Sequence, residues 1–414
     1  MTNKVPNIRF KGFTDDWEQR KLSDIYRDIG NAFVGTATPY YVEEGHFYLE
    51  SNNVKDGHIN HNTEVFINDE FYEKQKDKWL HTGDMVMVQS GHVGHAAVIP
   101  EELDCSAAHA LIMFRNPKVK IEPYFLNYQY QTVKAKKKIE NITTGNTIKH
   151  ILASEMQKFI VDVASYDEQE KIAGFFSHLD SLITLHQRKC EQTKELKKFM
   201  LQKMFPKKGE KNPEIRFPGF TDDWEQRKLG ELVTFSKGSG YSKGDLLKEG
   251  TPIILYGRLY TKYETVISNV DTFVEPKGKS VFSKGGEVIV PGSGETAEDI
   301  SIASVVEESG VLLGGDLNII TPPKEINSAF LAISISNGKP HKDMAKMAQG
   351  KSVVHLHNSD LAKIDFPFPI YEEQCRISNQ FAELDNLITL HQRKCEQLKE
   401  LKKFMLQNMF PKKG

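Results

Sequence analysis

The sequence predicts an α+β fold of two tandem mixed α/β domains separated by two long helices. The helices are expected to pack as an intramolecular antiparallel coiled coil with pseudo-two-fold symmetry. Three observations predict this fold. Two stretches of the chain recur almost unchanged about 206 residues apart. Short apolar runs bounded by Gly, Asp, Asn or Pro lie between them, which is typical of strands. Each copy ends in a long stretch whose apolar residues recur at helical spacing.

The edges of the two copies match, whereas their interiors hardly do. Pro6–Leu22 recurs as Pro213–Leu229 with two differences. Leu182–Gly209 recurs as Leu387–Gly414, again with two differences. This period is far longer than that of a solenoid repeat, so it indicates two domain-sized copies. Two domains on a common frame that act on different targets would have this pattern.

The interiors predict both strands and helices. Apolar runs of strand type lie at residues 47–49, 85–88, 111–114, 253–256, 288–290 and 319–320. Two longer stretches, residues 122–139 and 327–347, fit helices that lead into glycine turns.

The first long helix is predicted to begin after Ser165, because Ser165 and Glu168 have the spacing of a capping box. It is predicted to end before Pro206, which disfavours helix at the preceding residue. That is roughly 38 residues, or about 55 Å. The second copy predicts the same helix over Glu372–Phe410.

A helix of this length with a narrow apolar seam requires a partner. The helix of the other copy is the economical choice. Two independent surface helices, or a partner protein on the seam, are the alternatives. The predicted segments are a first domain (1–165), a first long helix (166–206), a second domain (207–370) and a second long helix (371–414).

Composition narrows the class of protein. The formal net charge is −2, so any nucleic-acid contact must come from local basic patches. Four scattered cysteines predict reduced thiols rather than a disulfide scaffold. The N-terminus has no apolar leader, and no run approaches the roughly 18 apolar residues of a membrane span. A cytoplasmic protein is therefore expected.

Motifs at the edges of the copies carry a family resemblance. The pattern Arg-Phe-x-Gly-Phe-x-Asp-x-Trp-Glu-x-x-Lys-Leu opens the two copies, at Arg9 and at Arg216. An acidic Glu-Gln pair opens the two long helices, at Glu168 and at Glu373. With two dissimilar interiors between these motifs, the chain resembles the specificity subunit of a type I restriction-modification system over essentially its whole length.

The resemblance implies a non-catalytic DNA-binding subunit of a deoxyribonuclease and adenine methyltransferase complex. Each domain would be a target-recognition domain that reads one half of a bipartite, asymmetric site in double-stranded DNA, and the helices would set the gap. Two methyltransferase (modification) subunits would dock on the helices, and restriction motor-nuclease subunits would join them. S-adenosylmethionine, ATP and magnesium would be held by these partners and no cofactor by this chain. The docking candidates are Leu179, Leu182, Leu196, Leu384, Leu387 and Leu401.

The DNA-binding candidates of the first copy are polar or basic residues in or beside predicted turns. They are Asn52, Asn53, Gln89, Ser90, His92, Lys136, Lys137, Thr147 and Lys149. Gln89, Ser90 and His92 are suited to base edges, although an ordinary hairpin turn explains them nearly as well. Lys136 and Lys137 precede a Gly/Thr/Asn turn and suit phosphate contacts. A solvated helix face is the equal alternative for the lysines.

The candidates of the second copy follow the same reasoning. They are Tyr256, Arg258, Tyr260, Lys262, Ser293, Lys351 and Ser352. Arg258 is suited to a bidentate contact with guanine O6 and N7, and Lys262 to a phosphate. The basic tail of the first long helix, residues 194–208, fits a solvated face better than a DNA contact.

Motifs of catalysis and metal binding are incomplete. Gly350-Lys351-Ser352 resembles the end of a P-loop, but Ala345 stands where the first glycine is required. Histidine pairs that begin at His58 and His92 have a ligand-like step, yet no Cys or carboxylate set completes them. No catalytic residue and no metal are predicted. A stand-alone nuclease and a structural adaptor that does not bind DNA are the other classes left open.

Overall fold

The computed structural model describes residues 5–145, 147–348 and 353–412. Contacts divide the chain into two units. Unit 1 comprises the chain up to His186 and again from Arg393, and unit 2 comprises Gln187–Gln392. Each long helix therefore passes from one unit into the other, and each unit contains one domain interior and a part of both helices.

Unit 1 contains twelve strands and the helices α1 to α6 among its described residues. The helices are α1 (Leu22–Ile25), α2 (Asp69–Glu73), α3 (Pro123–Tyr130), α4 (Val133–Ile142), α5 (Ala153–Lys158) and the first part of α6 (Tyr166–Lys203). Short 3-10 helices lie at Thr38–Tyr40, Ser51–Asn53, Lys76–Lys78 and Glu101–Leu103. The strands are β1 (Glu18–Lys21), β2 (Tyr26–Asn31), β3 (Tyr41–Val42), β4 (His46–Leu49), β5 (Val54–Lys55), β6 (His58–Ile59), β7 (Phe66–Ile67), β8 (Met85–Val88), β9 (Ala96–Val98), β10 (Ala107–Ala108), β11 (Leu111–Pro117) and β12 (Ile160–Val163).

The central sheet of unit 1 is antiparallel, with the order β2-β11-β8-β9. Phe114 lies opposite Ile29 on one side and Met85 on the other. A second sheet has the order β10-β4-β7-β3, and β1 with β12 and β5 with β6 form two-stranded sheets. Strand β8 is buried along its length, as its continuous apolar run indicates. The predicted strands at 47–49, 85–88 and 111–114 are confirmed.

Unit 2 repeats this plan with thirteen described strands. Its helices are α7 (Leu229–Leu232), α8 (Arg258–Thr261), α9 (Ser328–Ser336), α10 (Gly338–Met347), α11 (Asn358–Leu361) and the first part of α12 (Tyr371–Asn408), with a 3-10 helix at Lys243–Asp245. The strands are β13 (Glu225–Lys228), β14 (Thr234–Lys237), β15 (Thr251–Ile254), β16 (Val266–Ile267), β17 (Phe273–Val274), β18 (Phe282–Lys284), β19 (Glu287–Pro291), β20 (Ser293–Gly294), β21 (Ser304–Val306), β22 (Ser309–Leu313), β23 (Leu317–Thr321), β24 (Val354–His355) and β25 (Asp365–Phe368).

The larger sheet of unit 2 has the order β14-β23-β19-β21-β16, and a second sheet has the order β17-β15-β22-β18. Ile320 in the larger sheet lies opposite Phe235 and Val288. Two-stranded sheets pair β13 with β25 and β20 with β24. The predicted strands at 288–290 and 319–320 are confirmed. The strand predicted at 253–256 ends two residues earlier, because the chain turns there into α8.

The helix predicted over residues 122–139 is two helices, α3 and α4. The chain turns at Thr132, whose hydroxyl caps α4 by accepting a hydrogen bond from Ala135 N–H at 3.2 Å. The helix predicted over 327–347 is also two, α9 and α10. There the break falls beside Gly338, which has a φ of +66°. At these two positions a capping side chain or a glycine conformation ends one helix and begins the next, although the apolar periodicity continues.

In unit 1 the first part of α6 packs antiparallel to the last part of α12. Lys402 Nζ lies 2.6 Å from Asp180 Oδ1. The rings of Phe176 and Phe410 stack with centroids 6.1 Å apart. Burial acts to raise the pKa of Asp180, but hydrogen bonds from His58 and Lys402 outweigh it and hold the pKa below its usual value.

In unit 2 the last part of α6 packs antiparallel to the first part of α12. Lys197 Nζ lies 2.5 Å from Asp385 Oδ1, and the centroids of Phe205 and Phe381 are 6.2 Å apart. These four residues correspond, one repeat along, to the four that hold the helices in unit 1. Each helix has 38 residues, and the predicted antiparallel pairing within the chain is confirmed. Among the described residues, no helix has an apolar stretch long enough to cross a bilayer.

The motifs repeated at the edges of the copies meet at the start of each long helix. Glu168 is fully buried and accepts hydrogen bonds from Arg9 Nε at 2.6 Å and from Trp17 Nε1 at 3.2 Å. Arg216 Nε donates to the equally buried Glu373 at 2.7 Å. A buried carboxylate requires such partners. The motifs therefore hold the first segment of each copy to its long helix.

Candidate nucleic-acid interface

The loop after β8 carries three of the predicted DNA-binding residues of unit 1. Its backbone pairs with the turn that follows α4. Ile151 N donates to Gln89 O at 3.0 Å, and Gly91 N donates to Lys149 O at 3.1 Å. Gly91 has a φ of +80°, a conformation that favours glycine. Two segments that are distant in the sequence are thereby held side by side.

A cavity of about 410 Å³ lies between this loop and α4. His92, Lys136 and Lys149 line it, and all three are exposed. Ser90 lies next to it and bridges to the turn after α4. Gln89 Oε1 is buried without a hydrogen-bond partner among the described residues, and Gln89 is not one of the residues that line the cavity. Residues predicted from two separate stretches therefore share one concave surface.

His95 and Thr143 also line the cavity, although the sequence did not predict them as DNA contacts. Burial lowers the pKa of His95, and the nearby Asp56 offsets this only in part. Asp56 N donates to His95 Nδ1 at 3.1 Å, an arrangement that leaves Nε2 as the ring nitrogen that carries hydrogen. The one sequence signal for His95 is that it follows His92 by three residues. That spacing suggested a pair of metal ligands rather than a hydrogen-bond donor to DNA.

The corresponding loop of unit 2 is built in the same way. Ser293 pairs with His355 where β20 meets β24. However, Ser293 is buried, and its hydroxyl donates to Asp316 Oδ2 at 3.2 Å. A base contact by Ser293 would require this bond to break, so the structure does not support the prediction for its side chain. Lys351 and Ser352 lie outside the described residues.

Asn53, a predicted base contact in unit 1, is buried inside a turn. Its side-chain oxygen accepts a hydrogen bond from Glu50 N at 2.9 Å. Its amide nitrogen donates to the carbonyls of Asn60 at 3.0 Å and Thr63 at 2.8 Å. Asn53 therefore shapes the turn and does not reach a base edge. Its neighbour Asn52 is exposed and remains a candidate.

Arg258, the strongest base-reading candidate of unit 2, is engaged within its own loop. Its guanidinium donates to Asp271 Oδ1 at 2.6 Å and to Glu264 Oε2 at 2.8 Å, and the side chain is 9% exposed. A bidentate contact with guanine would compete with these ion pairs and would require the side chain to leave its buried position. Arg258 therefore holds the loop in this structure, which gives no support to the prediction that it contacts guanine.

The other predicted residues are accessible. Lys137 and Thr147 are exposed in unit 1. In unit 2, Lys262 is exposed and lies 3.2 Å from Asp271, while Tyr256 and Tyr260 are half-buried.

Unit 2 also contains a strongly basic cavity of about 890 Å³ between the tail of α6 and α10. Asp343 is the one acidic residue among the described residues that line it. Several of the lysines are held by carboxylates, but Lys342 and Lys346 form no ion pair within the part of the chain that the structure describes. The lysines that line the cavity are Lys194, Lys197, Lys198, Lys203, Lys207, Lys208, Lys339, Lys342 and Lys346. The sequence analysis expected the basic tail of α6 to be a solvated face. It did not predict that these lysines would lie together with those of α10 in one cavity.

The six leucines predicted for docking differ in their exposure. Leu179 and Leu384 are buried in the cores of their own units, so they cannot bind a partner, and Leu182 is half-buried. Leu196, Leu387 and Leu401 are exposed. Further exposed apolar residues on the same helices are Leu185, Phe199, Leu390 and Phe404. Exposed apolar side chains at helical spacing are typical of an interaction surface.

A family model described as "Type I restriction modification DNA specificity domain" matches the chain twice, over residues 14–195 and 221–400. Two relatives from Methanocaldococcus jannaschii match nearly the whole chain. The type I restriction enzyme MjaVIII specificity subunit is 22% identical over 407 residues, covering 94% of this chain and 91% of its own length. The putative type I restriction enzyme MjaX specificity subunit is 26% identical over 406 residues, with the same coverage.

Two solved structures have a similar fold. The S subunit of a type I restriction-modification system from M. genitalium has a TM-score of 0.63 at 14% identity, covering 99% of this chain and 100% of that chain. A chain from a structure concerned with assembly and conformational transition of the type I R-M system has a TM-score of 0.52 at 14% identity, covering 96% and 98%. At this identity the similarity is one of fold.

Proposed function

Because the chain belongs to the family of type I restriction modification DNA specificity domains, we propose that it is the non-catalytic DNA-reading subunit of a type I restriction-modification complex. The observation that carries the proposal is that the family model matches both copies in turn. In each copy the loop after a central strand is paired with the segment that follows a basic helix. Each target-recognition domain, at residues 1–165 and 207–370, reads one half of a bipartite site.

In unit 1 the reading surface is the cavity beside α4. His92 and the Nε2–H of His95 supply polar groups for base edges. Lys136 and Lys149 neutralise phosphates on either side. The complex acts on double-stranded DNA in the cytoplasm, and S-adenosylmethionine, ATP and magnesium belong to its modification and motor-nuclease subunits.

The test is to co-express the chain with modification subunits and to map methylated adenines across a genome. A single bipartite motif with a constant gap is the expected result. Crosslinking of S-adenosylmethionine verifies that the modification subunits are competent. Methylation that is random or absent with a competent complex would contradict the proposal and favour an adaptor without DNA binding. Cleavage by the purified chain with magnesium alone would instead indicate a nuclease.

The basic cavity of unit 2 is proposed to hold the DNA backbone. Replacement of Lys342 and Lys346 by Gln is expected to weaken DNA binding by the assembled complex without changing its motif. The slope of log K against log salt should fall by about 1 to 2, since each lost phosphate contact contributes about 0.9. Fluorescence anisotropy over a salt series measures the slope. Lys248→Gln, an exposed lysine of unit 2 outside the cavity, is the matched control. An unchanged slope in the double variant would remove the cavity from the DNA path.

The exposed apolar residues of the long helices are proposed to bind the modification subunits. Leu196 is 48% and Phe199 is 47% exposed on α6, and the duplication repeats them as Leu401 and Phe404 on α12. Two such surfaces fit two modification subunits.

Replacement of Leu196 and Phe199 by Glu is expected to weaken modification-subunit binding more than tenfold, because buried apolar anchors dominate interface energies. Isothermal titration calorimetry measures the affinity and the number of sites. Glu195→Lys, a change at an exposed polar position on the same helix, should leave both unchanged. Equal affinities for the two variants would place the docking surface elsewhere.

A further inference from the structure

A cluster of metal-ligand side chains lies in unit 1 outside the proposed reading surface. In the described part of the chain, one group of three or more His, Cys, Asp and Glu side chains has its ligand atoms within 4.8 Å of one another, namely His81, Asp104 and Cys105. His81 precedes β8, and the other two residues precede β10. Leu80 and Ser106 hold these segments together through reciprocal backbone hydrogen bonds of 2.9 and 3.1 Å.

We propose that His81, Asp104 and Cys105 form a binding site for a divalent cation of the zinc class. In a tetrahedral zinc site, bonds of about 2.0–2.3 Å place neighbouring ligand atoms about 3.3–3.6 Å apart. Here His81 Nδ1 lies 3.4 Å from Asp104 Oδ1, and Cys105 Sγ lies 3.3 Å from Asp104 Oδ2. Cys105 Sγ lies 3.8 Å from His81 Nδ1. His81 and Cys105 approach different oxygens of Asp104, and one ligand atom from each residue lies within 4.8 Å of the others, so side-chain rotations would bring the three around one cation.

The surroundings orient these ligands. Thr82 donates to Asp104 Oδ1 from its backbone N–H at 2.8 Å and from its hydroxyl at 3.3 Å, which fixes the carboxylate. Tyr72 OH donates to Cys105 O at 2.8 Å. Cys105 has a φ of +63°, a left-handed conformation that is uncommon outside glycine. This conformation directs the thiol toward the other two ligands.

Ligand chemistry favours zinc over calcium or magnesium. A thiolate and an imidazole prefer borderline-soft cations, whereas calcium and magnesium take oxygen ligands. His81 and Asp104 are exposed, so water has access to a fourth position. The cation binds sulfur as the thiolate, so the Cys105 thiol loses its proton on binding.

The described residues of unit 2 contain no equivalent ligand set. In unit 1, Asp84 Oδ2 accepts a hydrogen bond from the backbone N–H of His81. In unit 2, Glu287 Oε1 accepts the equivalent bond from the backbone N–H of Lys284. A lysine therefore occupies the position of the histidine. One cation per chain is therefore expected. The cation would join the two segments at the start of β8, and β8 ends at the loop that carries Gln89. The proposed cation site does not depend on the proposed DNA-reading function, because it is inferred only from the contacts among His81, Asp104 and Cys105.

The test uses the full chain without an affinity tag, purified with a phosphine reductant. We expect one bound Zn²⁺ per chain by elemental analysis and, after replacement by Co²⁺, a sulfur-to-metal charge-transfer band. Cys105→Ser should abolish the band and reduce Zn²⁺ affinity more than tenfold, and Thr82→Val should reduce it about tenfold by freeing the carboxylate.

Cys375→Ser is the matched control, because Cys375 is also partly accessible but belongs to unit 2 and is not a member of the cluster. It should retain the metal and the band. Circular dichroism and thermal unfolding without metal verify that each variant folds, and Zn²⁺ should raise the unfolding temperature of the parent chain but not of Cys105→Ser. Absence of stoichiometric metal in the folded parent chain, or equal Zn²⁺ affinity in the parent and Cys105→Ser, would overturn the proposal.

Discussion

Glu168→Ala is expected to destabilise unit 1 by about 3–5 kcal/mol, because it leaves a charged guanidinium without its buried partner. Glu168 is 0% exposed and Arg9 is 14% exposed, so water replaces the lost contact poorly. Trp17 also loses its acceptor. Differential scanning calorimetry should record a lower unfolding temperature for one part of the heat-absorption profile. Glu170→Ala, an exposed change two residues away, should alter stability by less than about 0.5 kcal/mol.

The equivalent variant in unit 2, Glu373→Ala, provides a comparison for the loss of stability in unit 1. Glu373 accepts two hydrogen bonds from Arg216, whereas Trp224 Nε1 has no partner among the described residues. Glu373→Ala should therefore lower the stability of unit 2 by somewhat less than Glu168→Ala lowers that of unit 1. If Glu168→Ala is as mild as Glu170→Ala, the motif does not hold the first segment to the helix.

The second large effect is expected on DNA specificity. Replacement of residues 237–345 by the interior of a related chain should change one half of the methylated motif completely and leave the other half unchanged. These residues lie within unit 2 and exclude Arg216, Glu373 and the long helices. The structural frame therefore remains while the reader changes.

Methylation mapping of the exchange variant measures this effect. The reciprocal exchange of residues 30–140 in unit 1 is the matched control and should change the opposite half. The gap should stay constant in both variants, since both leave the helices intact. Changes in both halves after a single exchange would contradict the assignment of one reader to each copy.

Residues predicted from the sequence differ in how the structure uses them. The candidates at His92, Lys136 and Lys149 meet at one cavity because a backbone pairing joins their two segments. Arg258 was predicted from its residue type and neighbours, which do not reveal that Asp271 and Glu264 occupy its guanidinium. The exposed members of the predicted set remain candidates for DNA contact.

The sequence by itself determined the duplication and predicted the longer buried strands, the two 38-residue helices and, as the economical choice, their antiparallel pairing. These features depend on periodicity and local propensity, which act over a few residues and are repeated along the chain. Only the tertiary structure decided which leucines face outward, why Asn53 is buried, and that His81 lies beside Asp104 and Cys105. Those outcomes depend on contacts between residues far apart in the chain, for which spacing alone holds no signal.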